Sequence, residues 1–284
     1  MKIRLCCPFF KENLVAQIQI AEAGKWVDEI HVTECDRTFQ YKSKPFCFAH
    51  ANLPKVFYHK LEAESLFLKA GNLLPHIRLG RKPQWHPRLF RQTTWFNEGM
   101  QRNLSVPEFD DNDILILSDI DEIIDANKAD RLIEDVKKHG VVTAKLRFSL
   151  FYLNLFSLNW GGPPDYSYRT FLIRGKTFRE RWKADSDTLR KQGERNQLAK
   201  TVYCANEFAG FHHSWLGDVK VIQEKIRAYA HTEHGIYDNE AYIRECLESG
   251  KSIFSQHEVK VDTAVRLLDT VEKNREFFRP YLMS

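Results

Sequence analysis

Three carboxylates, Asp119, Asp121 and Glu122, follow at once on the apolar run Ile114-Leu115-Ile116-Leu117. Asp119 and Asp121 stand two apart, so in an extended segment both would point the same way. Two hard oxygen ligands on one side suit Mg²⁺ or Mn²⁺, with the oxygens of a phosphate-bearing substrate completing the shell. The plainer alternative for so short a motif is a solvated acidic turn ahead of a helix cap.

The elements around the motif favour a site. Residues 114–117 read as a strand buried on both faces, as in a parallel sheet. After the acids comes an amphipathic helix that Asp125 can cap, with Ala129, Leu132, Ile133 and Val136 as its stripe and Gly140 as its stop. A further strand over 141–148 closes a βαβ unit. Open α/β sheets bind ligands outside the carboxyl ends of their strands, which is where the acids fall.

The N-terminal part repeats the pattern. Residues 3–7 read as a strand, then a helix with Leu14, Ile18 and Ala21 on one face ends at Gly24, and 29–33 form a second strand with Glu34 and Asp36 at its end. Residues 56–58 make a third strand, and 71–88, rich in Gly, Pro and Arg, a connection. Residues 88–104 read as a helix carrying Trp95, Phe96, Met100 and Leu104, with Glu98 and Arg102 at i,i+4. An aromatic stretch over 150–160 breaks at Gly161-Gly162-Pro163-Pro164. Residues 166–174 read as a strand with a turn at Gly175, and the charged stretch 176–200 as a solvated loop. A helix over 218–230 turns Val219, Ile222 and Ile226 inward, and the chain from Tyr237 on reads as helical hairpin material packed on the sheet.

With 284 residues, 43% of them hydrophobic, the chain can build one large α/β domain. Its net charge of +4 is spread out without a basic block, so nucleic acid is not an expected partner. The six cysteines form no C-x-x-C pair, which points to buried thiols in a reducing compartment rather than zinc or disulfides. No signal sequence and no apolar stretch of transmembrane length is present, so the expectation is a cytoplasmic protein, at most peripheral to a membrane.

Several spaced motifs, in order, resemble glycosyltransferase family 17, the family of the β-1,4-mannosyl-glycoprotein N-acetylglucosaminyltransferases. Val27-Asp28 through Glu34, Thr38-Phe39 and Lys44-Pro45 are similar to its first block, and Trp95, Glu98, Gln101 and Arg102 to its W-x-x-E-x-x-Q-R helix. Residues 113–123 resemble its D-h-h-h-h-S-D-x-D-E-I core, and Lys145-Leu146-Arg147 through Phe156 the aromatic strand after it. Gly210-Phe211-His212-His213-Ser214-Trp215 and Lys225 with Ala228-Tyr229-Ala230-His231-Thr232-Glu233 resemble its last two blocks. Phe211 stands where the family has Trp, and His213 and Gly217 where it has Cys. The likeness runs from about residue 9 to residue 255.

The resemblance implies a GT-A-like (Rossmann-like) α/β fold: a mixed, mostly parallel sheet flanked by helices in a single domain. The nucleotide-binding part would be about 1–125 and the acceptor and metal-site part about 126–284. It implies a Mn²⁺- or Mg²⁺-dependent, inverting transfer of GlcNAc or a similar sugar from a UDP-sugar donor to a glycan acceptor. Asp121 would bind the metal, with Asp119 binding it through water or holding the ribose or donor sugar, and His212 as a third contact. Glu34 would approach the uridine, while Arg102, Arg169 and Lys225 would meet phosphates. Inversion needs a general base, for which Glu122, Glu98 and Glu233 are candidates. Trp95, Tyr152, Trp160 and Trp215 are candidates for stacking on sugar faces.

Three other readings compete. A haloacid-dehalogenase-like phosphohydrolase also places Asp-x-Asp after an apolar strand, but near its N-terminus and with a Thr soon after; here Glu122-Ile123 follows and a full βαβ precedes. A zinc hydrolase built on His212, His213, His231 and His234 lacks any H-E-x-x-H spacing. A non-catalytic carbohydrate-binding protein would have no need of Asp119, Asp121, Glu122 and His212 together.

Overall fold

The structure, a computed structural model, describes residues 1–62, 87–159, 166–194, 198–255 and 257–284. Strands β1 (Ile3–Phe9), β2 (Glu29–Cys35), β3 (Val56–Leu61) and β4 (Ile114–Leu117) form its parallel half. Strands β5 (Glu122–Ile124), β6 (Val141–Leu150), β7 (Leu155–Ser157), β8 (Tyr166–Arg174), β9 (Tyr203–Ser214) and β10 (Val259–Val261) extend it. The strand order is β10-β7-β6-β8-β4-β1-β2-β3, with β9 pairing parallel to β6 and antiparallel to β5. The protein is a mixed α/β sheet of Rossmann-like kind in one domain, flanked by helices.

Both faces of β4 are buried, as its apolar run requires. Ile114 and Ile116 join the core under helix α1 (Asn13–Ala23), while Leu115 and Leu117 join a second core on the opposite face. Cys6 and Cys7 on β1 split between the same two cores, and all six cysteines are free. Helix α2 (Pro87–Leu104) precedes β4, and α3 (Ala129–His139) runs from β5 back to β6, ending at Gly140. Asp125 accepts a hydrogen bond from the Asn127 backbone N–H at 2.9 Å, capping a 3₁₀ turn ahead of α3.

Several expectations are corrected. Strands β4 and β6 run parallel, as a βαβ unit requires, though β8 sits between them, antiparallel to both. Gly175 opens a helix rather than a turn, and the charged stretch after it is not a solvated loop. It forms α4 (Gly175–Trp182) and α5 (Ser186–Glu194), anchored through Phe178, Trp182 and Leu189 in the core beneath β4. Asn103 caps α5, its Oδ1 accepting from the Ser186 N–H at 2.8 Å and the Asp187 N–H at 3.2 Å. Gly193 allows α5 to lie on β8, since a Cβ there would stand 1.9 Å from the Tyr168 carbonyl oxygen. Ala21 is exposed rather than inward. Beyond α6 (Val219–Ala228) and α7 (Glu240–Ser249), the C-terminal part adds edge strand β10, then short helices α8 (Asp269–Lys273) and α9 (Arg275–Phe278). The connection expected over 71–88 lies, up to residue 86, outside the described residues, as does Trp160.

Candidate active site

A cavity of about 320 Å³ opens at the carboxyl ends of β1, β4 and β9, lined there by Phe9, Phe10, Asp119, Asp121, Ser214 and Trp215. Its walls also carry Glu12, Glu98, Arg169, Arg190, His212, Lys225, His231 and Glu233. A second hollow adjoins it and shares Glu98, Arg169, Tyr229 and His231 with the first; Trp95, Asp187 and Lys191 are among the residues that line the rest.

The Asp119–Glu122 segment is a tight turn, not the extended segment expected. The Glu122 N–H donates to the Asp119 carbonyl at 3.1 Å, and the two aspartates take different partners. Asp119 accepts from Arg102 Nε and Nη2 at 3.1 and 3.0 Å and from Arg190 Nη2 at 2.7 Å. Asp121 faces Lys225 Nζ at 3.1 Å and His212 Nε2 at 3.4 Å. Burial opposes ionisation of both carboxyls, but Arg102 and Arg190 beside Asp119, and Lys225 and His212 beside Asp121, hold them below the usual carboxylate range. Burial likewise opposes the charge on Lys225, yet Asp121 and Glu12, the latter also at 3.1 Å, push its pKa up.

Pairing of β5 with β9 brings His212 to the turn. Glu122 lies opposite His212 in the register, so their side chains share a face. Gly210 makes the close pairing possible, because a Cβ there would stand 2.0 Å from the Ile123 carbonyl oxygen. The His212 ring packs edge-on against Phe148, with centroids 4.6 Å apart. His213 points to the other face, where its Nδ1 meets Ser149 Oγ at 2.7 Å and burial lowers its pKa to about 3. Trp215 follows at φ 61°, a left-handed conformation unusual for a side chain of that size, and Lys225 Nζ lies 5.4 Å from its ring centroid.

The structure therefore brings together Asp119, Asp121, His212, Lys225, Arg102, Arg169, Glu98 and Glu233, and separates two other candidates from the cavity. Glu122 is wholly buried behind the turn, its Oε2 accepting from Arg190 Nη1 at 2.6 Å and Thr170 Oγ1 at 3.0 Å. Glu34 stands at the carboxyl end of β2 as expected, its penultimate residue, but with no exposure. It is ion-paired with Lys44 and accepts from the Cys47 and Phe48 N–H groups and from Tyr58 Oη at 2.6 Å. Of the aromatic candidates, Trp215 lines the cavity and Trp95 the adjoining hollow, whereas Tyr152 lines neither and packs against the core that Trp215 belongs to.

Arg190 is the site residue that sequence reasoning missed. It bridges Asp119 and Glu122 while buried itself, from within the segment expected to be a loop. The i,i+4 pair Phe178 and Trp182, with Leu189 beyond, was the available sign of helices there.

Asp121 and His212 fit a dication as a two-ligand, open site. Their facing atoms stand 3.4 Å apart, close to the separation of neighbouring ligands on one small cation. Asp119 does not complete such a set here, because both its oxygens are held by arginines.

No protein-family model matches the chain, and no curated protein matches it. Among solved structures it is similar to S. aureus TarS 1–349, at 13% identity and TM-score 0.40, over 90% of this chain and 75% of that one. It is also similar to mannose-6-phosphate isomerase from Helicobacter pylori, at 14% identity and TM-score 0.34, over 69% of this chain and 79% of that one. A third likeness, at 11% identity and TM-score 0.35, is to the galactosyltransferase LgtC in complex with donor and acceptor sugar analogs, over 100% of this chain and 97% of that one. All three are distant, and the chemistry of the cavity stands on its own geometry. No helix among the described residues is long and apolar enough to cross a membrane.

Proposed function

We propose that the protein is a GT-A-like glycosyltransferase of the family 17 kind, moving GlcNAc or a similar sugar from a UDP-sugar to a glycan acceptor with inversion. The observation that carries this reading is the convergence of Asp121, His212, Lys225, Arg190 and Arg169 on one cavity at the carboxyl ends of β1 and β4. A sugar diphosphate needs positive charge around its leaving oxygens, and a cavity with this many carboxylates does not supply it unaided. A dication, Mn²⁺ or Mg²⁺, held by Asp121 and His212 would neutralise the charge that builds on the leaving diphosphate.

The chain's own residues do the rest. Lys225, kept protonated by Asp121 and Glu12, presents a fixed cation to a phosphate. Asp119 holds Arg102 and Arg190 in place and would be the group at the turn to meet a ribose or sugar hydroxyl. Glu98 is the favoured general base, because it lines both hollows and so stands where a donor in one would meet an acceptor hydroxyl in the other. Glu122, shut behind the turn, anchors Arg190 instead. Trp95 offers its ring to an acceptor sugar. A haloacid-dehalogenase mechanism needs a nucleophilic Asp119, and the two guanidiniums on that carboxylate leave it a poor nucleophile.

Calorimetric titration with UDP, GDP and their sugars, with and without Mn²⁺, tests the proposal. Metal-dependent binding of one nucleotide, lost in Asp121→Asn, is the expected result. Absence of nucleotide binding under every metal condition would sink it.

A further inference from the structure

We infer that His231, Glu233 and His234 form a second cation site in the wall of the same cavity, built for a first-row transition metal and separate from Asp121. Each residue offers one ligand atom, and these atoms lie within 4.8 Å of one another, a convergence that Asp119, Asp121 and His212 do not achieve. The trio belongs to the 3₁₀ helix Thr232–Tyr237 and the residue that caps it, His231. Three residues per turn place i and i+3 one above the other. The two imidazoles accordingly stack, with centroids 5.1 Å apart and planes 10° from parallel, and Glu233 Oε1 stands 2.8 Å from His231 Nδ1.

Ligand type sets the metal. Two imidazoles and a carboxylate are the donor set of open zinc sites, which hold three protein ligands and leave a further position for water or substrate. Such a set favours Zn²⁺ or Co²⁺ over Mg²⁺, whose preference is for oxygen. Trp95 packs edge-on to His231 at 4.6 Å, and Phe254 lies 4.7 Å from His234. All three residues line the cavity, so the open coordination position would face bound ligand. The inference holds whichever reaction the cavity carries.

The test uses the full chain, stripped of metal and free of nucleotide, titrated with Co²⁺ and followed by visible d–d absorption, with Zn²⁺ calorimetry in parallel. One equivalent should bind, with millimolar Mg²⁺ failing to displace it. His231→Ala and His234→Ala should each weaken binding roughly tenfold or more. Glu233→Gln, a change at an exposed position that leaves the fold intact, should weaken it too, and Asp121→Asn should leave it unchanged. Absence of Co²⁺ and Zn²⁺ binding to the wild-type chain overturns the inference. So does binding lost in Asp121→Asn, or binding indifferent to all three changes in the trio. Because nucleotide is absent, none of these outcomes decides whether a sugar donor binds.

Discussion

Glu34 and Asp121 look alike in the sequence, each an acid following an apolar strand, and the structure makes opposite things of them. Glu34 is closed: its oxygens are taken up by Lys44, Tyr58 and two backbone N–H groups, all from the loop and strand that follow it, and it has no exposure. Asp121 is paired as well, with Lys225 and His212, but its partners come from distant elements and stand around a cavity. What distinguishes a working carboxylate from a structural one is where its counter-charges come from and whether space remains beside them, and strand-end position does not decide it.

The largest effect expected of this contrast is on ligand binding. Asp121→Asn should reduce transfer activity on the order of 10²–10³-fold, measured as turnover of the donor identified by calorimetry, while thermal melting shows the chain still folded. Loss of folding with no separable loss of activity would erase the distinction. Glu34→Gln should do the reverse. It breaks a buried ion pair and costs about 3–5 kcal/mol in urea unfolding, and the folded fraction should keep its donor affinity.

Arg190→Met sits between the two. It leaves Glu122 buried without its guanidinium and frees Asp119 on one side, so both unfolding midpoint and donor affinity should fall. Arg190→Lys should recover part of the stability and little of the affinity, because one ammonium cannot bridge two carboxylates. A smaller effect belongs to pH. Lys44, Tyr58 and the Cys47 N–H outweigh burial and hold the Glu34 carboxyl below its usual value. Its share of stability is thus complete above the unfolded value of about 4.3 and is lost as pH falls through the folded value. Acid titration of stability should be flatter in Glu34→Gln than in the wild type. Gly193→Ala should give the smallest effect, about 1–3 kcal/mol in unfolding. It pushes α5 off Tyr168, and a donor affinity that drops with it would show that Arg190 depends on that approach.

The parts legible in the sequence are those written in neighbouring residues. Four apolar residues in a row gave β4 its boundaries, 166–174 its strand, and Gly24 and Gly140 their helix ends. The acids at 119, 121 and 122 stood out for the same reason. Their division of labour did not, because it is set at long range: Arg190 lies 68 positions from Glu122, and Lys225 lies 104 from Asp121. β5 is three residues long and exists through β9, so no local pattern announces it. Helices α4 and α5 carry few apolar residues among many charges, so Phe178, Trp182 and Leu189 are the only periodic sign of them, and a faint one.

The pairing of β5 with β9 also bears on how the chain acquires its site in time. Closing the contact between Glu122 and His212 means ordering the whole stretch between them, and loop closure of that length is slow. During synthesis the parallel half of the sheet can collapse as soon as β4 emerges, but the acidic turn has no strand to lean on until β9 follows. The working geometry is then among the last things the protein makes, and a chain halted before β9 would carry an unformed centre and a core still lacking Ala209, Phe211, Leu268 and Phe278.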